Sequence, residues 1–359
     1  MQAVILAGGQ GTRLRPLTSN VPKPVVTLVD RPFISFMLEW LRGHGITRVV
    51  LSCGFLADGV RDVLGDGASL GIEIVYIEEP EPLGTAGAVK LAAPLLDETF
   101  LMLNGDVLTD IDITAQLAAH RASGARATLA LVPVADPSPY GLVLRDARGA
   151  VREFVEKPQH EIPGENLISA GVYVLQREIL ELVPSERKVS IEHEVWPHLV
   201  GNGLFAYASE SYWLDIGTPE RYLQGTFDII AGDLPGAPAQ PVAGDATVEG
   251  RVLEPCVIGA GAHVAAGATV GPCAVIGPRA KIAAGARVES AVVLDDAVVG
   301  ADSRLRNCVL APGSTVGERC ELDGNAVLGE GAALGADNAL AGGARIFPGV
   351  RLPDGAIAF

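Results

Sequence analysis

A chain of 359 residues with 48% hydrophobic and 19% charged side chains is long enough for two domains and too apolar to stay disordered. Its 43 acidic residues against 27 basic ones leave a net charge of -16, which excludes a general nucleic-acid or anionic-membrane binder, since both need a basic face. No apolar run nears the roughly 20 residues a membrane-spanning helix requires, so no partner of that kind is expected.

The first element read is a strand, Ala3-Val4-Ile5-Leu6, which runs into the glycine-rich turn Ala7-Gly8-Gly9-Gln10-Gly11-Thr12. Met1 to Ala7 lacks the basic start of a signal peptide, so it reads as a strand. Arg13, Arg15 and Lys23 follow, and no acidic residue occurs before Asp30. Glycines let a backbone turn its N–H groups toward an anion, and cations just beyond suit a polyphosphate. The segment reads as a nucleoside triphosphate site. Farther on, Val49–Leu51, Ile74–Ile77, Phe100–Leu103 and Thr128–Val132 read as strands, with helical spacing between them, as over Phe33–Arg42. Such alternation predicts an α/β domain with a mainly parallel sheet, whose ligands bind beyond the carboxyl ends of the strands.

Residues 234–245 are rich in Pro, Gly and Ala and read as a linker. Beyond it aliphatic residues recur every six positions: Val252, Ile258, Val264, Val270, Ile276, Ile282, Val288 and Leu294. The frame drops one residue before Val299 and another between Leu305 and Leu310, then runs on from Val316 to Leu352. A six-residue repeat predicts a parallel β-helix with one core side chain per step, the two five-residue steps being shortened corners. The five cysteines lack Cys-x-x-Cys spacing and read as buried, reduced thiols of a cytoplasmic protein.

The run Gly8–Thr18 followed by Pro22-Lys23-Pro24 resembles the signature of sugar-1-phosphate nucleotidyltransferases. The likeness extends through Glu81–Gly87, Asn104-Gly105-Asp106, Phe154–Pro158, Ser169–Tyr173 and Trp213–Pro219. It is greatest to the mannose-1-phosphate guanylyltransferases that carry a C-terminal hexapeptide β-helix. The resemblance implies a Rossmann-like nucleotidyltransferase domain with a mainly parallel mixed sheet over 1–232, a linker over 233–245 and a left-handed β-helix over 246–359. It implies an NTP, GTP first, and a sugar 1-phosphate as substrates, with Mg²⁺ as cofactor.

On that footing Leu6, Ala7, Gly8, Gly9, Gly11, Thr12 and Gly105 line the nucleotide, with Gly84 and Thr85 beside its base. Arg13 meets the β- and γ-phosphates and Lys23 the α-phosphate. Asp106 and Asp215 hold the metal. Lys157 clamps the sugar phosphate, while Glu156, Gly141, Ala170 and Gly171 receive the sugar. The β-helix is expected to assemble a homo-oligomer, a dimer or a dimer of dimers.

Other readings stay open. Thymidylyltransferases acting on glucose 1-phosphate share most motifs, and a promiscuous enzyme is compatible. A glycosyltransferase would use Asp110-Ile111-Asp112 but leave Arg13 and Lys23 idle. Acyl transfer by the β-helix needs a histidine base and an extended loop, and the repeat holds only His263. A non-catalytic homologue would be expected to have lost some of these residues. His193 and His198 are five apart with Pro197 between them, which does not fit a zinc-protease helix.

Overall fold

In the computed structural model, which describes residues 1–54, 56–160, 162–185 and 187–358, the first apolar run forms strand β1 (Ala3–Ala7) inside a nine-stranded sheet. The other strands are β2 (Arg48–Cys53), β3 (Glu73–Glu78), β4 (Thr99–Asn104), β5 (Ala127–Pro133), β6 (Gly141–Arg145), β7 (Val151–Glu156), β8 (Leu167–Gln176) and β9 (Leu204–Ala208). Their order is β7-β6-β8-β4-β1-β2-β3, with β5 against β8 and β9 against β5. β1, β2, β3 and β4 pair in parallel, as do β5 and β9, whereas β8 runs antiparallel to β4 and β5.

The four apolar runs read from the sequence all fall in strands of this sheet. Continuous Val, Leu and Ile suit strands covered on both faces. Helix Phe33–Gly43 coincides with its expected span. The antiparallel strands β6 to β8 are not among the runs read from the sequence.

The chain divides into two compact units: Met1–Gln10 with Ile34–Leu214, and Gly11–Phe33 with Asp215–Phe359. In the second unit the six-residue period becomes stacked coils. Val264 pairs with Ile282, Ile258 with Ile276, and Leu310 with Leu328, each one coil on and in parallel. The inward residues, Val264, Ile276 and Val288 among them, form one apolar core.

One detail differs from the counted period. Val293, five positions after Val288, takes the inward place and pairs with Leu310, while Leu294 stays outside the core. The shortened steps fall within two continuous strands, Arg287–Val293 and Arg304–Leu310. Each turns its corner on a single left-handed residue, Ser290 (φ 46°) or Asn307 (φ 45°). Of the Pro/Gly/Ala-rich stretch, Leu234 is buried and Val242 already pairs with Ile258.

All five cysteines are unbridged; four are buried and Cys273 is half-buried. Burial pushes the thiols of Cys53 and Cys256 up to about 12. Among the described residues no helix is long and apolar enough to cross a membrane.

Candidate active site

In the second unit the glycine turn is built around Gly11 (φ +58°), whose carbonyl accepts hydrogen bonds from Leu14 N (3.0 Å) and Thr18 Oγ1 (2.7 Å). A Cβ there would come within 3.1 Å of Thr18 Cγ2 and 3.2 Å of Lys23 Cβ, so both the dihedral and the packing call for glycine. Lys23 starts a short 3-10 turn, Lys23–Val25, between Pro22 and Pro24. It is only 9% exposed, which rules out an ordinary solvated surface base.

Arg13 lies in the turn Thr12–Leu14. Its Nη2 is 3.9 Å from Asp215 Oδ2, with the arginine side chain 68% exposed and the aspartate 20%. So exposed a pair adds little stability; its exposed guanidinium is open to a ligand. Gly217 makes the pair possible, because a Cβ there would stand 2.9 Å from Arg13 Nη2 and 3.0 Å from Asp215 Oδ1. Gly11, Arg13, Lys23 and Asp215 are thus gathered from two distant stretches of sequence.

In the first unit the carboxyl ends of β1 and β4 meet. Leu6 is in register with Asn104, and Gly105 N donates to the Leu6 carbonyl at 2.9 Å. A Cβ on Gly105 would lie 2.5 Å from that oxygen, so only glycine lets the chain turn into Asp106 here. Gly8 packs on Gly54 and on Glu79, whose Oε1 would be 2.9 Å from an added Cβ. Gly9 faces open space.

Glu79 accepts from Ser52 Oγ (3.1 Å) and from Leu83 N (3.0 Å), placing a half-buried carboxylate beside the first glycines. Helix Gly84–Ala92 begins against Val189, whose carbonyl accepts from Ala86 N at 3.0 Å. Thr85 Oγ1 donates to Glu192 Oε2 (2.9 Å) and accepts from Ile191 N (2.8 Å).

The residues expected around the sugar also lie in the first unit. Lys157 N donates to the Tyr140 carbonyl (3.0 Å), next to Gly141, and Lys157 has the left-handed φ of 49°. Such a conformation is costly for lysine. Its Nζ is 3.6 Å from Glu156 Oε1. The Ala170 carbonyl accepts from Trp213 Nε1 at 2.9 Å, and Trp213 meets Tyr140 edge-on at 5.1 Å.

Gly141 and Gly171 have packing duties of their own: an added Cβ would lie 2.5 Å from Phe154 Cζ and 2.9 Å from Asn104 Nδ2, respectively. Tyr173 is buried and hydrogen-bonds Ser169 Oγ at 3.0 Å. Burial raises its phenol pKa, and the charges of Glu192, Glu156 and Asp106 raise it further.

Sequence reasoning did not find Glu79, Glu192 or the steric role of Gly217. No local pattern marks the first two: Glu79 meets Ser52 of a neighbouring strand, and Glu192, in a short helix, meets Thr85 of another helix. Asp110 and Asp112 have structural uses: Asp110 Oδ1 accepts from Tyr212 N (2.8 Å) and Asp112 caps helix Ile113–Ser123 through Ala115 N (3.0 Å). Among the described residues no cluster of three or more His, Cys, Asp or Glu could hold a metal by itself. His193 and His198 fall in two separate short helices.

Residues 2–231 match the family described as Nucleotidyl transferase, and residues 252–354 match the GMPPB C-terminal domain. A mannose-1-phosphate guanyltransferase of Eremothecium gossypii is 40% identical over 355 residues, 97% of this chain and 96% of that protein. A mannose-1-phosphate guanylyltransferase of Mycobacterium tuberculosis is 37% identical over 74% of this chain and 76% of its own length. The crystal structure of HddC from Yersinia pseudotuberculosis complexed with GMP-PN is 32% identical, covers 63% of this chain and 97% of that one, and has a TM-score of 0.55.

Proposed function

The chain belongs to the nucleotidyl transferase family, and from that premise we propose that it joins a nucleoside triphosphate to a sugar 1-phosphate, specifically GTP to mannose 1-phosphate. An oxygen of the sugar phosphate attacks the α-phosphorus; the new O–P bond forms as the bond to the β-phosphate oxygen breaks, and pyrophosphate leaves. The nucleophile is already an anion, so no strong base is needed. Catalysis then consists of bringing two anions together and stabilising the charge that builds up. The observation that carries this reading is the convergence of Arg13, Lys23 and Asp215 on the turn at Gly11.

In this reading the backbone from Leu6 to Thr12 and at Gly105 cradles the nucleotide. Arg13 takes the β- and γ-phosphates and the departing pyrophosphate, and Lys23 the α-phosphate. Lys157 holds the sugar phosphate, with Glu156, Gly141, Ala170 and Gly171 around the sugar. Asp106 and Asp215 are assigned to Mg²⁺, which when bound would offset phosphate charge. Carboxylate oxygens without nitrogen or sulfur donors suit this ion, and it ordinarily takes one or two carboxylates plus substrate oxygens and water.

Base choice is assigned to the neighbourhood of Gly84 and Thr85, and Glu79 extends it. Guanine presents adjacent N–H donors on its pairing edge, and a carboxylate is acceptor-only. Glu79→Gln is therefore expected to narrow the preference for GTP over TTP by about tenfold or more in kcat/KM. An unchanged ratio would remove Glu79 from base recognition.

A homo-oligomer in the cytoplasm completes the proposal. Phe347 (48% exposed) and Val350 (39%) are large apolar side chains left open on the last coils. Light scattering on the full chain should give a multiple of the monomer mass. A monomer mass would end that part of the reading.

A further inference from the structure

The middle residues of one set of β-helix strands form a column that pairs coil to coil: Val257, Val275, Val292, Val309, Val327 and then Arg345. Strand alternation turns these positions outward, since their neighbours Ile258, Ile276, Val293, Leu310 and Leu328 point into the core. The five valines are nonetheless buried, none more than 7% exposed. Helix Pro219–Ala231 lies along strands Arg287–Val293 and Arg304–Leu310, which contain two of them. At the last position an arginine replaces the valine.

Its guanidinium Nη1 donates to the main-chain carbonyls of Arg13 (2.8 Å) and Arg15 (2.5 Å). The same stretch of chain is held elsewhere on the β-helix. Leu17, Val21 and Val25 face Leu294, Ala311 and Pro348 across an apolar cavity of about 100 Å³. Asn20 Nδ2 donates to Glu330 Oε2 at 3.3 Å. The only charged group on this turn's own carbonyls among these contacts is Arg345.

We infer that Arg345 is a positioning residue for the triphosphate site: it ties both flanks of Leu14 to the β-helix and so fixes the turn that carries Arg13. The inference rests on the phosphate role proposed above for Arg13. A cation shared by two carbonyls makes charge-assisted hydrogen bonds, which are stronger than neutral ones. Ordering the turn beforehand spares the nucleotide the entropy of ordering it on binding. The β-helix thereby acts on nucleotide affinity as well as on assembly.

The test compares Arg345→Gln, Arg345→Lys, Arg13→Gln and the double variant, with GTP and mannose 1-phosphate as probes. Arg345→Gln should raise the KM for GTP about tenfold and leave the KM for mannose 1-phosphate unchanged. Arg345→Lys, which keeps the charge but not the fork, should recover part of the loss. In the Arg13→Gln background, Arg345→Gln should add less than about twofold.

Arg304→Gln, which removes an outer ion pair with Glu321 (3.3 Å), should behave as wild type and controls for general weakening of the coils. If Arg345→Gln proves poorly folded, Arg345→Lys carries the comparison. Equal loss in both KM values, or none while Arg13→Gln is impaired, overturns the positioning role and leaves the site intact. Unchanged kinetics in Arg13→Gln overturns the site reading itself.

Discussion

Lys23→Ala is expected to lower kcat by at least about a hundredfold while nucleotide still binds. The amine belongs to a nearly buried side chain, set in a proline-flanked turn and packed against Gly11. Truncation also removes a buried aliphatic stem, so Lys23→Met, which keeps most of that stem, separates lost packing from lost charge. Both variants should turn over at the same low rate, and an active Lys23→Met would take Lys23 out of the mechanism. Gly217→Ala should reproduce part of the effect by another route, because its Cβ would displace Arg13 from Asp215.

Asp106→Asn and Asp215→Asn are expected to cost a similar factor, on the order of a hundredfold in kcat, and to raise the Mg²⁺ concentration needed for half-maximal rate. The metal dependence is the informative part. Asp215 also pairs with Arg13, so a purely orienting aspartate would lose rate without changing its response to Mg²⁺. Asp106 lies after Gly105 at the end of β4 and contributes to the field at Tyr173. If neither variant alters the metal requirement, the carboxylates orient side chains and the ion is held by other groups.

Local signals carried far in this chain. Apolar runs of three to five residues located strands of the sheet, and the six-residue period located the large aliphatic core positions of the coils, though not the small residues, such as Ala262 and Ala280, that share the core. Val293 against Leu294 shows where counting fails: both are aliphatic, and only the left-handed corner at Ser290 decides which points inward. The glycine turn and its cations were legible because Gly11, Arg13 and Lys23 lie close together in sequence. That residues 11–33 fold with the β-helix was not, since the contacts made by Arg345 and Glu330 span more than 300 residues. In the sequence Gly141 and Gly171 stand out as sugar-site residues and Gly217 only as part of Trp213–Pro219, yet each makes room for a particular side chain that only the folded chain brings near.

These packing relations also change what the β-helix means for the chemistry. Read from the sequence it is an assembly element. In the folded chain it also forms the surface on which Leu17, Val21 and Val25 rest, beneath the turn that carries Arg13. A truncation from about residue 245 would thus expose this apolar side and release the turn that carries Arg13.

The most direct test is pyrophosphate release by the full chain, measured for each of GTP, TTP, UTP, CTP and ATP against mannose 1-phosphate and glucose 1-phosphate in the presence of Mg²⁺. GTP with mannose 1-phosphate should give the highest kcat/KM, with stoichiometric nucleoside-diphosphate sugar. Turnover of other pairs with none from GTP would contradict the assigned substrates, and no pyrophosphate from any pair would contradict nucleotidyl transfer.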